Sequence, residues 1–360
     1  MQLLSYGVED LYLTGDPKMT YFVKKIEKFH PFMIDVVEIP VSAPEGLNKG
    51  GREYVCHIPQ GAADMIIDSH LVLRWENCVK FLPNDSIHGV IDYVELNAGG
   101  QTISRWTGDF LTQWEEITNE PKSHSVNDYL SGKSLSYDGG STDSIRRGGE
   151  FMFRIPMFGE GIERAFPLCA MRYHTLQFRI GTHAMIENVT PPTAAVRIRG
   201  GYLDGIHRDY FSMRRLTYVF PQLQLQRIYF EKSNLYFRNP VFAFLLIIRD
   251  ASETEMKFHD SVTKFEVYLN GEKYFSNEKI FDVYEKATNF SRYFGRWQFI
   301  SRTISNKFVP DGYINLSRFG KIESVITTDG TEGDSAHVKL YAMNYGVAVI
   351  HNGMIGLPFT

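Results

Sequence analysis

Three kinds of grouping in this chain could do chemistry: histidines, glycine-flanked hydroxyls, and short runs of like charge. The 11 histidines include no His-x-His pair and no H-E-x-x-H run. No strand or helix therefore offers two imidazoles at the spacing a zinc ion needs. Gly139-Gly140-Ser141-Thr142-Asp143 is the nearest approach to a nucleophile elbow. It lacks that motif's second glycine and lies in a polar stretch, where a flexible turn accounts for it. Gly159-Glu160-Gly161 carries two glycines of a phosphate fingerprint without the third. Glu115-Glu116 is a carboxylate pair, but adjacent helical residues do not face each other, so a solvated helix face is expected. Arg146-Arg147 and Arg214-Arg215 are short enough for ordinary surface or interface pairing. The three cysteines, Cys56, Cys78 and Cys169, are odd in number and far apart. They form neither a C-x-x-C pair nor a disulfide framework, and read as small buried hydrophobes of a protein folding in a reducing compartment. No catalytic residue, metal or cofactor is expected.

The elements that would carry these residues are mostly strands. Leu176, Phe178 and Ile180 alternate with Thr175, Gln177 and Arg179, and Val196 and Ile198 alternate with Arg197 and Arg199. Phe265, Val267 and Leu269 alternate with Lys264, Glu266 and Tyr268. A period of two marks strands with one face in a core. The last run ends in Asn270-Gly271, a hairpin signal, because a type I′ turn needs positive φ at both central residues. Helical spacing is sparse. Phe110, Leu111 and Trp114 predict a helix over Thr107–Thr118, capped by Thr107 or Asp109, and a second short helix is expected over Asn277–Lys286. Pro121–Glu150 is a long Ser-, Gly- and Asp-rich loop. The alternation stops again near residues 204–221 and restarts after Pro221, and the domain boundary is placed there.

Composition bounds the answer. At 360 residues the chain is long for one sandwich and suits two. It is 43% hydrophobic with 26 Phe and 20 Tyr, enough to fill both cores. The net charge of −4 and a pI near 6.3 leave no basic surplus for coating DNA, so direct nucleic-acid binding is not expected. The start, MQLLSYGVEDLYL, lacks the pattern of a secretory signal. The longest apolar run, Val241–Ile248, is well short of the ~20 residues that span a bilayer. Sequons at Asn84, Asn188, Asn289 and Asn315 are accordingly read as coincidental. Strand spacing then predicts two tandem β-sandwiches, without showing whether the halves share one fold.

Five stretches, in order along the chain, carry a family resemblance. LYLTGDPKMTYF (residues 11–22) is similar to an N-terminal "L-T-G-x-P-x-x-T-x-F" segment through Leu13, Thr14, Gly15, Pro17, Thr20 and Phe22. VELNAGGQTISRWTGDFLTQWEEIT (94–118) resembles a strand, a "GGQ" turn at Gly99-Gly100 and a helix bearing Trp114. RIPMFGEGIERAFPLCAMRYHTLQFRI (154–180) resembles "A-L-P-L-I-A-L-x-Y-H" through Ala165, Pro167, Leu168, Ala170, Tyr173 and His174, with Gly-Ile-Glu-Arg in place of the usual "R-N-P-G". AVRIRGGYLDGIHRDYF (195–211) resembles a "Y-x-Y-L-D" strand through Tyr202 and Asp204, and YFRNPVFAFLLIIRD resembles "F-N-H-P-V-K-E-L" through Asn239 and Pro240. GYINLSRFGKIESVIT and LYAMNYGVAVIHNGMIGLPFT resemble the ending "G-x-x-N-F-S-R" and "Y-A-x-N-Y-N-V-L-R-I-x-x-G-M-x-G-L". The matching residues there are Asn315, Ser317, Arg318, Asn344, Tyr345, Gly353, Met354 and Gly356, with Gly346 where Asn is usual.

These stretches are similar to the major capsid proteins of nucleocytoplasmic large DNA viruses, the iridovirus- and chlorella-virus-like double jelly-roll proteins. The resemblance implies an all-β fold of two tandem eight-stranded jelly rolls with a few short helices in connecting loops. It implies an N-terminal arm over 1–25, a first roll over 26–208 and a second over 209–360. It further implies a non-enzymatic tile of the virion, assembled in host cytoplasm. Three copies would form a pseudo-hexagonal capsomer burying on the order of 2,000 Å² or more. Minor capsid and penton proteins would be its partners, with the arm near an inner viral membrane. A minor capsid or membrane-scaffolding homologue, and a carbohydrate-binding jelly-roll module, are the alternatives.

Overall fold

The computed structural model describes residues 16, 30–42, 53–74, 87–118, 130–131, 149–157, 164–183, 193–229, 231–249, 262–278, 297–301, 312–328 and 337–358. In the N-terminal half these form β1 (Phe32–Pro40), β2 (Glu53–Ile58), β3 (Met65–Arg74), β4 (Ile91–Ala98), β5 (Gln101–Thr107), α1 (Gly108–Thr118), β6 (Glu150–Ile155), β7 (Phe166–Pro167), β8 (Leu176–Thr182) and β9 (Thr193–Leu203). One sheet runs β1-β9-β3-β6 with β7 on β3, and the other runs β2-β8-β4-β5. After α2 (Gly205–Met213) come β10 (Leu216–Ile228), β11 (Glu231–Leu235), β12 (Pro240–Arg249), β13 (Val262–Leu269), β14 (Glu272–Glu278), β15 (Trp297–Ser301), β16 (Ile314–Asn315), β17 (Ile322–Thr328), β18 (His337–His351) and β19 (Met354–Gly356). Their sheets run β10-β18-β12-β15 and β11-β17-β13-β14. Every pairing is antiparallel.

Set aside the two-residue β7 and β16 and the short β19, and each half has eight strands in one order. The first, last, third and sixth make one sheet; the second, seventh, fourth and fifth make the other. That is a jelly roll, twice. The chain is all-β, two tandem eight-stranded jelly rolls with short helices between strands. Sequence alternation alone left the equivalence of the halves open; the strand order supplies it.

The expected faces appear where alternation was clearest. Leu176, Phe178 and Ile180 are buried while Arg179 is exposed, and Val196 and Ile198 are buried on β9. Asn270 and Gly271 have φ of 51° and 89°, the two positive values the hairpin demands. The helix over 107–118 forms as α1, and Thr107 Oγ1 accepts from the Phe110 N–H at 3.4 Å. Three expectations change. Asn277 and Glu278, assigned to a second helix, end β14 instead; the rest of that segment lies outside the described residues. The stretch 204–221 is α2 followed by the start of β10. Glu115 is half-buried rather than on a freely solvated face: its carboxylate lies 3.5 Å from Nε2 of the buried His88. The long loop 121–150 lies almost wholly outside the described residues, as does Cys78. Cys56 is buried and Cys169 half-buried.

The two rolls share part of their core. Phe242, Leu245 and Ile247 of β12, and Tyr341, Met343 and Tyr345 of β18, join one apolar cluster with Trp106, Phe110 and Phe166 of the first roll. Phe244 and Leu246, with Leu340 and Ala342, point the other way into the second roll's own core. The apolar run beginning at Val241 is thus a strand buried on both faces, which is why it does not alternate.

Candidate functional site

Most motif residues within the described part sit at the junction of the rolls, and each has a local cause. Gly99 and Gly100 make the β4–β5 turn with φ of 58° and 80°, backbone that favours glycine. Asn352 and Gly353 do the same between β18 and β19, with φ of 52° and 78°. Between these hairpins runs the segment after the 3-10 turn Leu168–Ala170. The Tyr173 N–H donates to the Gly353 carbonyl at 2.9 Å, and the Ile355 N–H donates to His174 Nδ1 at 3.1 Å. Gly99 N–H reaches the Thr175 carbonyl at 3.4 Å. His174 is therefore a bridge: its ring rests on Gly99 of one roll and its Nδ1 receives a backbone proton from the other. Met354, half-exposed at 48%, and Gly356 flank that contact on β19.

A second group fixes the entry into β12. Asn239, at φ 70°, accepts at its carbonyl from the Leu316 N–H and donates its own N–H to Ser317 Oγ at 2.9 Å. Pro240 pairs with Asn315 across β12 and β16, and Asn315 Oδ1 accepts from the Ser317 N–H. Arg318 closes this short 3-10 turn in an exposed position. The third group closes the first roll. The Tyr202 O–H donates to the Ala62 carbonyl at 2.7 Å, and Asp204 caps α2 by accepting from the His207 N–H. Buried Asp64 accepts from the Leu203 N–H and from Arg208.

Asn344, fully buried, donates to Gln222 Oε1 and accepts from Gln224 Nε2 at 3.1 Å. Tyr345 stacks on Phe242 at 4.5 Å. Trp114 stacks on Phe110, and Pro167 pairs with Met65 on β7. Leu13, Thr14, Gly15, Pro17, Thr20 and Phe22 lie outside the described residues.

Sequence reasoning missed two features. Gln222, Gln224 and Gln226 all point from β10 to one side. Gln222 donates to the Ile103 carbonyl of the first roll. Gln224 donates to the Arg238 carbonyl and accepts from its N–H; Gln226 does likewise with Asn234 and Tyr236. Gln224 and Gln226 thus supply side-chain partners to the backbone of β11 and the residues that follow it. The signal was the plain alternation QLQLQ. The other is ionic and crosses the junction: Lys339 Nζ lies 2.7 Å from buried Asp109 of α1.

Among the described residues no group of three His, Cys, Asp or Glu side chains could hold a metal. Arg214, one of the basic pairs, lies over the Tyr210 ring at 4.0 Å, a local contact. Arg146-Arg147 and the two glycine motifs singled out for chemistry lie outside the described residues. Fold and junction together define a structural class: double jelly-roll proteins whose rolls are joined by a shared apolar cluster and directional hydrogen bonds.

The family model for the major capsid protein N-terminus matches residues 20–213, more than half of the chain. The chain belongs to this family of major capsid proteins. It is 22% identical to the major capsid protein of Pyramimonas orientalis virus over 100% of this chain and 98% of that protein. It is also 22% identical to the major capsid protein of Paramecium bursaria Chlorella virus 1, over 62% of this chain and 52% of that one. The fold is similar to that in the quasi-atomic model of the PBCV-1 capsid, with TM-score 0.75 and 16% identity over 95% of this chain and 100% of that one. It also resembles the Faustovirus major capsid protein, with TM-score 0.67 and 9% identity over 96% and 94% of the two chains. The chain is a capsid component of a large virus, in a family whose role is structural.

Proposed function

We propose that three copies of this chain form a pseudo-hexagonal capsomer, and that such capsomers tile the facets of an icosahedral shell around a double-stranded DNA genome. The observation that carries this reading is the repetition of one strand order in two rolls that share a core. Three copies of a rigid two-lobed body present six similar lobes, and a closed threefold ring needs one heterologous interface that returns on itself. The division we propose is an arm over 1–25, a first roll over 26–208 and a second over 209–360, with α2 in the link. The motif residues at the junction serve to hold the lobes at a fixed angle, which a flat lattice requires. Minor capsid and penton proteins are the further partners, with the arm toward an inner viral membrane. Assembly takes place in host cytoplasm, and the chain does no catalysis. The net charge of −4 argues against direct genome contact.

The test is the mass of the purified chain by light scattering, with negative-stain imaging. A particle of three times 41.4 kDa with six lobes is expected. A 41.4 kDa monomer at every concentration, under conditions where particles assemble, refutes the proposal.

A further inference from the structure

The chain contains two Asn-Gly pairs, Asn270-Gly271 and Asn352-Gly353, and each forms a two-residue hairpin turn. Their backbones are nearly alike: φ is 51° and 89° in the first turn, 52° and 78° in the second. Both asparagines are exposed. The ladder closes on the flanking residues, Leu269 with Glu272 and His351 with Met354, so each glycine N–H lies outside it. The side chains are held differently. Asn270 Oδ1 accepts from the Lys321 N–H at 3.1 Å, while the Asn270 N–H donates to the Lys321 carbonyl at 2.8 Å. Asn352 makes no side-chain hydrogen bond among the described residues. The strands differ as well. β13 and β14 are eight and seven residues long, and β13 also pairs with β17; β19 has three residues and pairs with β18.

We infer that Asn352 is a site of spontaneous deamidation, and that the reaction loosens the hairpin tying the second roll to the first. The Gly353 nitrogen attacks Cγ of the Asn352 side chain and closes a cyclic imide. The side-chain nitrogen leaves as ammonia, taking the proton that the glycine nitrogen gives up. Water then opens one of the two imide carbonyls, leaving either aspartate or β-aspartate. Glycine favours the attack because no Cβ shields its nitrogen. Each turn must flex for that nitrogen to reach Cγ. At Asn270 the side chain must also give up the Lys321 N–H; at Asn352 it gives up nothing. The products differ in consequence. Aspartate visits the left-handed region as asparagine does, so it keeps the turn. β-Aspartate runs the chain through its own side-chain carbon, which adds one atom to the backbone between His351 and Met354. That extra atom displaces both bonds this hairpin makes to the first roll, Tyr173 N–H to the Gly353 carbonyl and Ile355 N–H to His174 Nδ1.

The test ages the full, natively folded chain in warm, mildly alkaline buffer, with Asn352→Gly alongside. That variant keeps the left-handed turn and cannot react. Trypsin, cutting after Lys264, Lys273 and Lys339, puts the two pairs on separate peptides, 265–273 and 340–360. Fragment-ion masses locate each gain of about 1 Da as amide becomes acid, and separate Asn352 from Asn344 on the second peptide. Protein isoaspartyl methyltransferase marks the β-aspartyl product. Deamidation at Asn352 is expected to run roughly five-fold or more ahead of Asn270, the scale of the hydrogen bond that Asn270 alone must break. In urea both turns are lost and the gap should close. Aged wild-type chain enriched in β-aspartate should show a lower urea midpoint than aged Asn352→Gly. Equal native rates at the two pairs, a faster Asn270, or reaction in the denatured chain alone would overturn the site. β-Aspartate at position 352 with an unchanged urea midpoint would overturn the loosening of the hairpin.

Discussion

Gly99 and Gly100 are neighbours with the same backbone problem and different surroundings, which makes them a matched pair. Both have φ in the left-handed region, so alanine at either costs about 1–2 kcal/mol of backbone strain. A Cβ on Gly100 meets nothing within 4 Å. A Cβ on Gly99 would stand 2.3 Å from His174 Nδ1 and 2.6 Å from its Cγ. The ring cannot swing aside freely, because its Nδ1 receives the Ile355 N–H from the other roll. Forcing it away adds an overpacking cost of about 1–3 kcal/mol and about 1 kcal/mol for the lost hydrogen bond. Gly100→Ala should therefore destabilise by about 1–2 kcal/mol and Gly99→Ala by about 3–6 kcal/mol. Urea unfolding at matched protein concentration measures both. In a Gly99→Ala/His174→Ala double variant the clash is gone, and the excess over Gly100→Ala should shrink to about 1 kcal/mol, chiefly the bond to Ile355. Equal costs for Gly99→Ala and Gly100→Ala, within about 0.5 kcal/mol, would refute the claim that His174 is wedged between the rolls.

The remaining expectations concern single sites. Arg74, whose hydrogen bond is the largest influence, and Arg197 hold the Glu38 carboxyl down from an ordinary 4.5 to about 2, against an opposing effect of burial. A depressed carboxylate stabilises above its unfolded pKa, and that contribution is lost as pH falls from about 4.5 towards 2. Glu38→Gln should thus flatten the fall of the urea midpoint across that window and leave its slope above pH 6 unchanged. At Gly346 a Cβ would lie 2.6 Å from Gln222 Cδ. Gly346→Asn alone should lower stability by about 1–3 kcal/mol, and adding Gln222→Ser should recover most of it in thermal melts. Burial pushes the Cys56 thiol up to about 12, so at pH 8 it should resist Ellman's reagent in the native protein and react only in denaturant, as read by peptide mapping.

Much of the fold was legible because it is written in short-range pattern. Asn270-Gly271 dictates its turn by the φ values only such residues adopt easily, and Leu176–Ile180 states its buried face by alternation. Val241–Ile248 hid its role for a physical reason: a strand packed on both faces has no polar side to alternate with. Glu115 was misread because a helix pattern cannot show that a buried imidazole from a separate turn comes up against its outer edge. The motif residues were visible as a set, but their meeting was not. Tyr173 and Gly353 are far apart in sequence, and only the return of β18 and β19 across the first roll brings their backbones to 2.9 Å.

That return also explains why the junction is polar where it is exact and apolar where it is broad. Phe242, Leu245, Tyr341 and Met343 supply a large buried area, but apolar packing alone tolerates sliding of one sheet over another. The His174–Ile355, Thr107–Tyr341, Gln222–Ile103 and Asp109–Lys339 contacts have defined directions and short reach, and a slide of an ångström or two would break them together. Leaving those groups buried without partners is what makes the wrong angle costly. In the lattice proposed above, any error in the angle between the lobes would accumulate across a facet. Directional bonds set into an apolar interface are the physical means by which this chain holds that angle to one value.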